Sequence, residues 1–213
     1  MIYPLSMFTG IIMSVLHPFL AERQQDLNYI YEKFLHSVKI LSLCGVFVTS
    51  VSFFCADEIV LILFGAQWED AIPCFMFMSI AIWPQMVTAT SGAIFQSINR
   101  TELMFRRGIL ATFTMLCCLG AGVALGTIET VSQFVAINYY LQFITMLYFL
   151  VRCGFHESIK AFVRKLFPDI IIVCGLSCSL YLADKLEFEA LYINFLFKLF
   201  VALCVFLILL AIF

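Results

Sequence analysis

Polar side chains set at helical intervals inside apolar sequence are the first candidates for chemistry. Gln85, Thr88, Gly92 and Gln96 follow one another at steps of three, four and four residues, so on a helix they share one face. Asn138, Gln142 and Thr145 repeat that spacing further along. Amides and hydroxyls in such a stripe are suited to line a wet cavity and hydrogen-bond a polar ligand. The same stripe serves equally as glue between membrane helices, at about 0.6 kcal/mol per bond. Both readings stay open at this point.

Other residues carry two readings as well. Arg100, Arg106 and Arg107 surround one polar turn, and arginine pairs bidentately with phosphate oxygens. Their position beside apolar runs also fits a purely topological role. His17-Pro18 closes the first apolar run, as a protonatable site or gate, or as an interfacial histidine beside a helix-ending proline. Pro84 lies inside the third run and predicts a kink, a candidate hinge. Gly122 and Gly126 form a GxxxG spacing, which predicts close helix packing. Lys198 is the one ionisable residue read well inside a run, and it is expected to snorkel to the outer interface. No Asp or Glu is expected deep in a span.

Chemistry of the covalent kind finds no support. No Gly-rich phosphate loop, no HExxH and no plausible Ser/His/Asp arrangement occurs. The nine cysteines include no CxxC pair and no Cys/His group at zinc spacing; most sit in apolar runs, where thiols behave as small hydrophobes. No enzyme activity, no cofactor and no metal is expected.

The elements that must position these residues follow from composition. Of 213 residues, 63% are hydrophobic and 12% charged, with mean hydropathy +1.05. Soluble domains carry roughly 25% charged residues. Half that proportion leaves too little polar surface for water, so lipid must solvate most of this chain. The net charge of −2 offers no basic field for nucleic acid. Apolar runs near 2–20, 35–56, 72–97, 108–126, 131–151, 168–184 and 192–213 predict seven spanning helices. Residues 59–64 are too short to span and are expected to extend the second helix or lie at the interface. Ser158 to Phe167 predicts a short interfacial helix, with Lys160, Arg164 and Lys165 toward lipid heads and Phe162, Leu166 and Phe167 dipping in. The fold class is therefore all-α, a polytopic bundle of about seven spans. A five-span core covers 1–151; a basic connector and two terminal spans cover 152–213.

Charge segregates across these spans. Ten of twelve basic residues fall in the loops around 21–39, 98–107 and 152–167, and eight of fourteen acids fall in the alternate loops. The positive-inside rule makes the basic side cytoplasmic and puts the C-terminus there. The chain then begins outside, within an apolar run, which points to an N-terminal half that precedes it.

Three stretches carry a family likeness: SVLHPFLAERQQD at 14–26, ADEIVLILFGAQWEDAIPCF at 56–75 and GAIFQSINRTELMF at 92–105. In this order they resemble the polysaccharide-transporter (Wzx-like) branch of the MOP flippase superfamily, whose other branches include the MATE exporters and MurJ flippases. The likeness covers roughly 1–130; the last spans match only in hydropathy. It implies the second bundle of a two-bundle transporter in the bacterial inner membrane. It implies translocation of an undecaprenyl-pyrophosphate-linked oligosaccharide for O-antigen, capsule or exopolysaccharide assembly. Lipid-linked oligosaccharide, membrane lipids and the missing N-terminal half are the expected partners. Gln85, Thr88, Gln96, Asn138 and Gln142 would then line the cavity, Arg100, Arg106 and Arg107 would meet the headgroup, and His17, Pro18 and Pro84 would gate. A membrane polymerase or acyltransferase would need His or Arg in a large outward loop, and the longest here, 57–71, has neither. A MATE-like multidrug exporter would need an embedded carboxylate.

Overall fold

The computed structural model describes residues 26–186 and 191–212. Every regular element among them is helical. The first, α1 (Leu27–Phe54), starts where the Asp26 carboxylate accepts from the Tyr29 backbone N–H at 3.1 Å, satisfying one of the donors a helix start leaves open. Its 28 residues span about 42 Å, more than a bilayer core needs. A short helix, α2 (Ala56–Phe64), follows after Cys55 and ends at Gly65, whose φ of 86° suits a residue without Cβ. Residues 59–64 thus belong to a separate helix rather than an extension of α1.

A 3-10 turn, Ala66–Ala71, leads into three short helices: α3 (Ile72–Ile80), α4 (Ile82–Ala89) and α5 (Ser91–Ser97). Together they make one spanning segment, tightened at Ala81 and Thr90. Next come α6 (Thr101–Ala124) and α7 (Ile128–Met146), the latter continuing as a π-helical stretch, Leu147–Gly154. The chain closes with α8 (Ile159–Asp184) and α9 (Leu191–Ile212). Among the described residues six segments are long and apolar enough to cross a membrane: Leu27–Phe54, Ala66–Ser97, Thr101–Ala124, Ile128–Gly154, Ile159–Asp184 and Leu191–Ala211. They correspond to the second through seventh expected spans. The first, with His17 and Pro18, lies outside the described residues.

The two ends of the bundle differ. At one end the core gathers Phe34 of α1, Ile98 after α5, Leu150 of the π stretch, Phe155, and Phe162 and Leu166 of α8. Phe34 stacks on Phe155 and Phe162 with ring centres 6.0 and 5.8 Å apart. Arg100, Arg152, Lys160 and Lys165 lie in sequence beside these residues, so the basic loops converge on this end. At the other end α1 stops, α2 begins, α8 stops and α9 begins, and the ionised groups there are mainly acids. The hairpin topology therefore reproduces the charge segregation read from the sequence.

Two expectations need correction. Ser158 to Phe167 forms no separate interfacial helix: α8 runs unbroken from Ile159 through Pro168 to Asp184. Phe162 and Leu166 are buried against α1 rather than dipping into lipid, while Phe167 is exposed. A protein partner for the apolar face keeps the stretch in line with the span. Lys198 does not snorkel either; it is buried and paired, as described below.

Gly122 does let two helices approach closely. A Cβ there would lie 2.8 Å from the Cα of Val131, so α6 and α7 meet backbone to backbone. Gly126, at φ 83°, makes the turn between them. The GxxxG spacing is consumed within one hairpin: one glycine packs and the other turns.

Candidate functional site

Two polar centres join three elements each within the described residues. The first lies midway along the spans. Asp169 is ten residues into α8, about 15 Å from its start, and is 2% exposed. Its Oδ2 accepts a hydrogen bond from the Ser42 hydroxyl of α1. Ser42 in turn accepts from the Trp83 indole N–H of α4 at 2.8 Å. Three spans are thus tied by one chain, Trp83 to Ser42 to Asp169. The other oxygen, Asp169 Oδ1, has no hydrogen-bond partner and neither has Thr49 Oγ1, both buried. A cleft of about 350 Å³ opens beside them, lined by Thr49, Ser50, Trp83, Tyr140, Asp169 and Ser177 among apolar neighbours.

This overturns the expectation that no carboxylate lies deep in a span. The signal was present. Phe162, Leu166, Asp169, Ile172, Leu176 and Leu180 are spaced by three or four and form the buried face of α8. An apolar run that starts at Pro168 places Asp169 at the membrane edge, whereas the helical phase continues through the proline.

The second centre sits toward the acidic end. Lys198 of α9 has its ammonium 2.6 Å from Glu58 Oε1 of α2 and 2.6 Å from Asp184 Oδ1 at the end of α8. Asn194 donates to the same Glu58 oxygen at 2.8 Å. Lys198 and Glu58 side chains are 4% and 3% exposed, Asp184 54%. One cation therefore joins α2, α8 and α9. Beside it, burial and the neighbouring Glu58 carboxylate push the Asp57 carboxyl up from its ordinary value.

The residues singled out from the sequence fall as follows. Gln85 and Thr88 are half-buried on α4, and Gln96 is exposed on α5. The Thr88 hydroxyl is taken by the carbonyls of Pro84 and Gln85 at 2.8 and 3.2 Å. Asn138 is fully buried; its amide donates to Met115 Sδ of α6 at 3.1 Å, and its Oδ1 is unpartnered. Gln142 is half-buried. No hydrogen bond among the described residues joins the α4 stripe to Asn138 or Gln142. Trp83 is one of the contacts between the two segments; its ring lies 5.2 Å from Phe143 and 6.4 Å from Tyr140, centre to centre.

Arg100 is exposed, and Arg106 pairs with Glu102 at 2.5 Å on the exposed face of α6. Arg107 turns inward: its guanidinium donates to the Ser91 hydroxyl at 3.1 Å, and its Nε is buried without a partner. Pro84 is buried at the tightened part of its span. Lacking an N–H, it cannot donate to the Ile80 carbonyl one turn back. The Tyr140 hydroxyl donates to that carbonyl instead, at 3.3 Å.

Residues 1–73 match the polysaccharide biosynthesis protein family. No curated protein and no solved structure matches the chain significantly. The polysaccharide biosynthesis match agrees with the likeness read from the sequence. It covers α1, α2 and the start of α3, so Ser42, Thr49 and Glu58 fall within it. Trp83, Asp169 and Lys198, which complete both polar centres, lie beyond it. Among the described residues no group of three or more His, Cys, Asp or Glu side chains is placed to hold a metal ion.

Proposed function

We propose that this chain carries lipid-linked oligosaccharide repeat units across the bacterial inner membrane during assembly of a surface polysaccharide. The observation that carries the reading is the family match over residues 1–73 in a chain whose described residues include six helices long and apolar enough to span a membrane. A polysaccharide precursor on a polyprenyl anchor has a large polar head and an apolar tail. The head must pass about 30 Å of hydrocarbon while the tail remains in it. That task needs interior polar groups, helices that can rock against one another, and no covalent step. Supporting features are the third span, interrupted at Ala81 just before Pro84, the half-buried Gln85 and Gln142, and Arg107 turned inward near the basic end. Arg100 and Arg106, exposed at that end, are suited to meet a pyrophosphate arriving from the cytoplasmic leaflet. The C-terminus is then cytoplasmic. In this reading the protein is a transporter and not an enzyme, a second bundle opposes this one, and lipid surrounds both.

The test is an in-frame deletion of the coding region in its host. Lipid-linked repeat units should accumulate and surface polysaccharide should fall. Unchanged surface polysaccharide together with unchanged lipid-linked intermediates rules the reading out. A second reading, an exporter of cationic small molecules, is favoured by one finding: Asp169 supplies the embedded carboxylate such a protein requires. The deletion separates the two, since an exporter's loss changes drug sensitivity and leaves the polysaccharide intact.

A further inference from the structure

A lysine at the depth of lipid chains is costly unless its ammonium reaches the headgroups or meets an anion. Depth can be counted from the outer ends of the spans. About 20 helical residues cross the hydrocarbon. Counted back from Phe54 of α1 and from Asp184 of α8, they reach Leu35 and Lys165. The two levels meet in space, since Phe34 stacks on Phe162 with ring centres 5.8 Å apart. The inner boundary of the bilayer therefore crosses the seam between α1 and α8 at this height. A groove of about 230 Å³ lies there. Its floor is apolar and includes the buried Phe162 and Leu166. Its rim is Glu32, His36, Lys39 and Lys165, all exposed.

The rim is unsatisfied from within. Among the described residues neither Lys39 nor Lys165 has a carboxylate at ion-pair distance; the pairs that form belong to Arg106 and Lys198. Lys39 lies four residues, about 6 Å, deeper than Leu35, so its stem must turn toward the boundary. Its field reaches Asp169, but that carboxylate is buried and bonded to Ser42. Two ammonium groups against the one Glu32 carboxylate leave one positive charge, which a single phosphodiester matches. Toward the bilayer interior, Leu166, Ile170 and Val173 follow at steps of four and three, and the last two are exposed. They make an apolar track on which acyl chains can lie. A basic pocket between spanning helices, at the cytoplasmic boundary, is the kind of place that holds an anionic lipid head.

We propose that the groove between α1 and α8 binds the headgroup of an anionic glycerophospholipid from the cytoplasmic leaflet. Lys39 and Lys165 meet the phosphodiester oxygens from two different helices. His36 donates to the same phosphate through an imidazole N–H, and Glu32 accepts from the hydroxyls of a glycerol head. The bound lipid then staples the cytoplasmic ends of α1 and α8. This requires that the two helices cross a membrane, and it requires nothing of the cargo. Its test reads phospholipid binding alone, so its failure and the failure of the flipping reading are separate results.

The purified full chain in neutral detergent is titrated with phosphatidylglycerol, and bound lipid is counted by native mass spectrometry. Phosphatidylethanolamine and inorganic phosphate form separate arms, and both should bind far more weakly. A lysine near the membrane surface contributes about fivefold to affinity for an anionic lipid, so Lys39→Gln with Lys165→Gln should weaken binding about 25-fold. Lys39→Arg with Lys165→Arg should retain it. Lys160→Gln with Arg164→Gln removes as much charge from exposed positions outside the groove and should leave binding unchanged. A second arm needs no variant. Acetylation of Lys39 and Lys165 should slow severalfold when phosphatidylglycerol is added, while Lys185, exposed at the opposite end, keeps its rate. The proposal is overturned if phosphatidylethanolamine or free phosphate binds equally well, or if the pair at 160 and 164 costs as much as the pair at 39 and 165. Unprotected Lys39 and Lys165 overturn it too. So does displacement of phosphatidylglycerol by a polyprenyl diphosphate, which would make the groove a seat for cargo.

Discussion

At the scale of single residues, Lys198 makes the sharpest energetic claim. Its ammonium and the Glu58 carboxylate are both nearly inaccessible and 2.6 Å apart; Asn194 donates to Glu58, and the half-exposed Asp184 pairs with Lys198. Removing one member of a buried pair leaves the other charged and unmatched, at about 3–5 kcal/mol. Lys198→Met should therefore destabilise the bundle by that order in a detergent-titration unfolding experiment. Lys198→Met with Glu58→Gln should recover most of the loss, because neither charge then stays buried alone. If the double variant is as unstable as the single, the pair is not what holds α2, α8 and α9 together. The sequence shows Lys198 inside an apolar run but not its partners, since Glu58 and Asp184 read as loop acids beside other loop acids. Only the tertiary arrangement brings residues 58, 184 and 198 to one point. Asp169 is different: helical phase alone places it on the buried face of α8, and the proline before it obscured that.

At the scale of elements, the third span shows how much a residue type can predict. Pro84 foretells a break in the hydrogen-bond ladder, and the segment is indeed divided near it, at Ala81. The second tightening, at Thr90, has a more diffuse origin. Thr88, Ser91 and Ser97 all bond back to carbonyls three or four residues earlier, a habit that bends helices. The partner of the orphaned Ile80 carbonyl, Tyr140, lies sixty residues away and is invisible to local reasoning. This pairing is open to a double-mutant cycle. Tyr140→Phe should cost about 0.6 kcal/mol in the parent protein, the usual worth of an interhelical hydrogen bond in a membrane. With Pro84→Ala, the new N–H satisfies Ile80 from within the helix, and Tyr140→Phe should then be nearly neutral. Equal losses in both backgrounds, measured by the same unfolding titration, would show that Tyr140 does not serve the proline-freed carbonyl.

At the scale of the whole molecule, surface chemistry and charge placement make one argument about surroundings and orientation. Ile109, Phe113 and Leu116 on α6, Ile137 and Ile144 on α7, and Leu196, Phe200 and Leu203 on α9 are all exposed large hydrophobics. In water such faces would drive association; in lipid they need no partner. The loops then decide direction. The turn at Gly126 joins α6 to α7 beside Glu129, while His156 to Ser158 joins the π stretch to α8 among Arg152, Lys160 and Arg164. One full span separates the two turns, so they must open on opposite faces of any membrane the chain crosses. The positive-inside rule assigns the second to the cytoplasm. An epitope inserted at Gly126 should be reached by protease added outside intact spheroplasts, and one inserted after Glu157 only after lysis. Reversing the charge bias makes the argument independent of the insertions. Neutralising Arg152, Lys160, Arg164 and Lys165 together should weaken or invert the difference, because these four border the only basic loop that flanks α8. Protection of both epitopes, or exposure of both, is incompatible with an odd number of crossings between residues 126 and 157, and with it falls the membrane arrangement on which the transport reading depends.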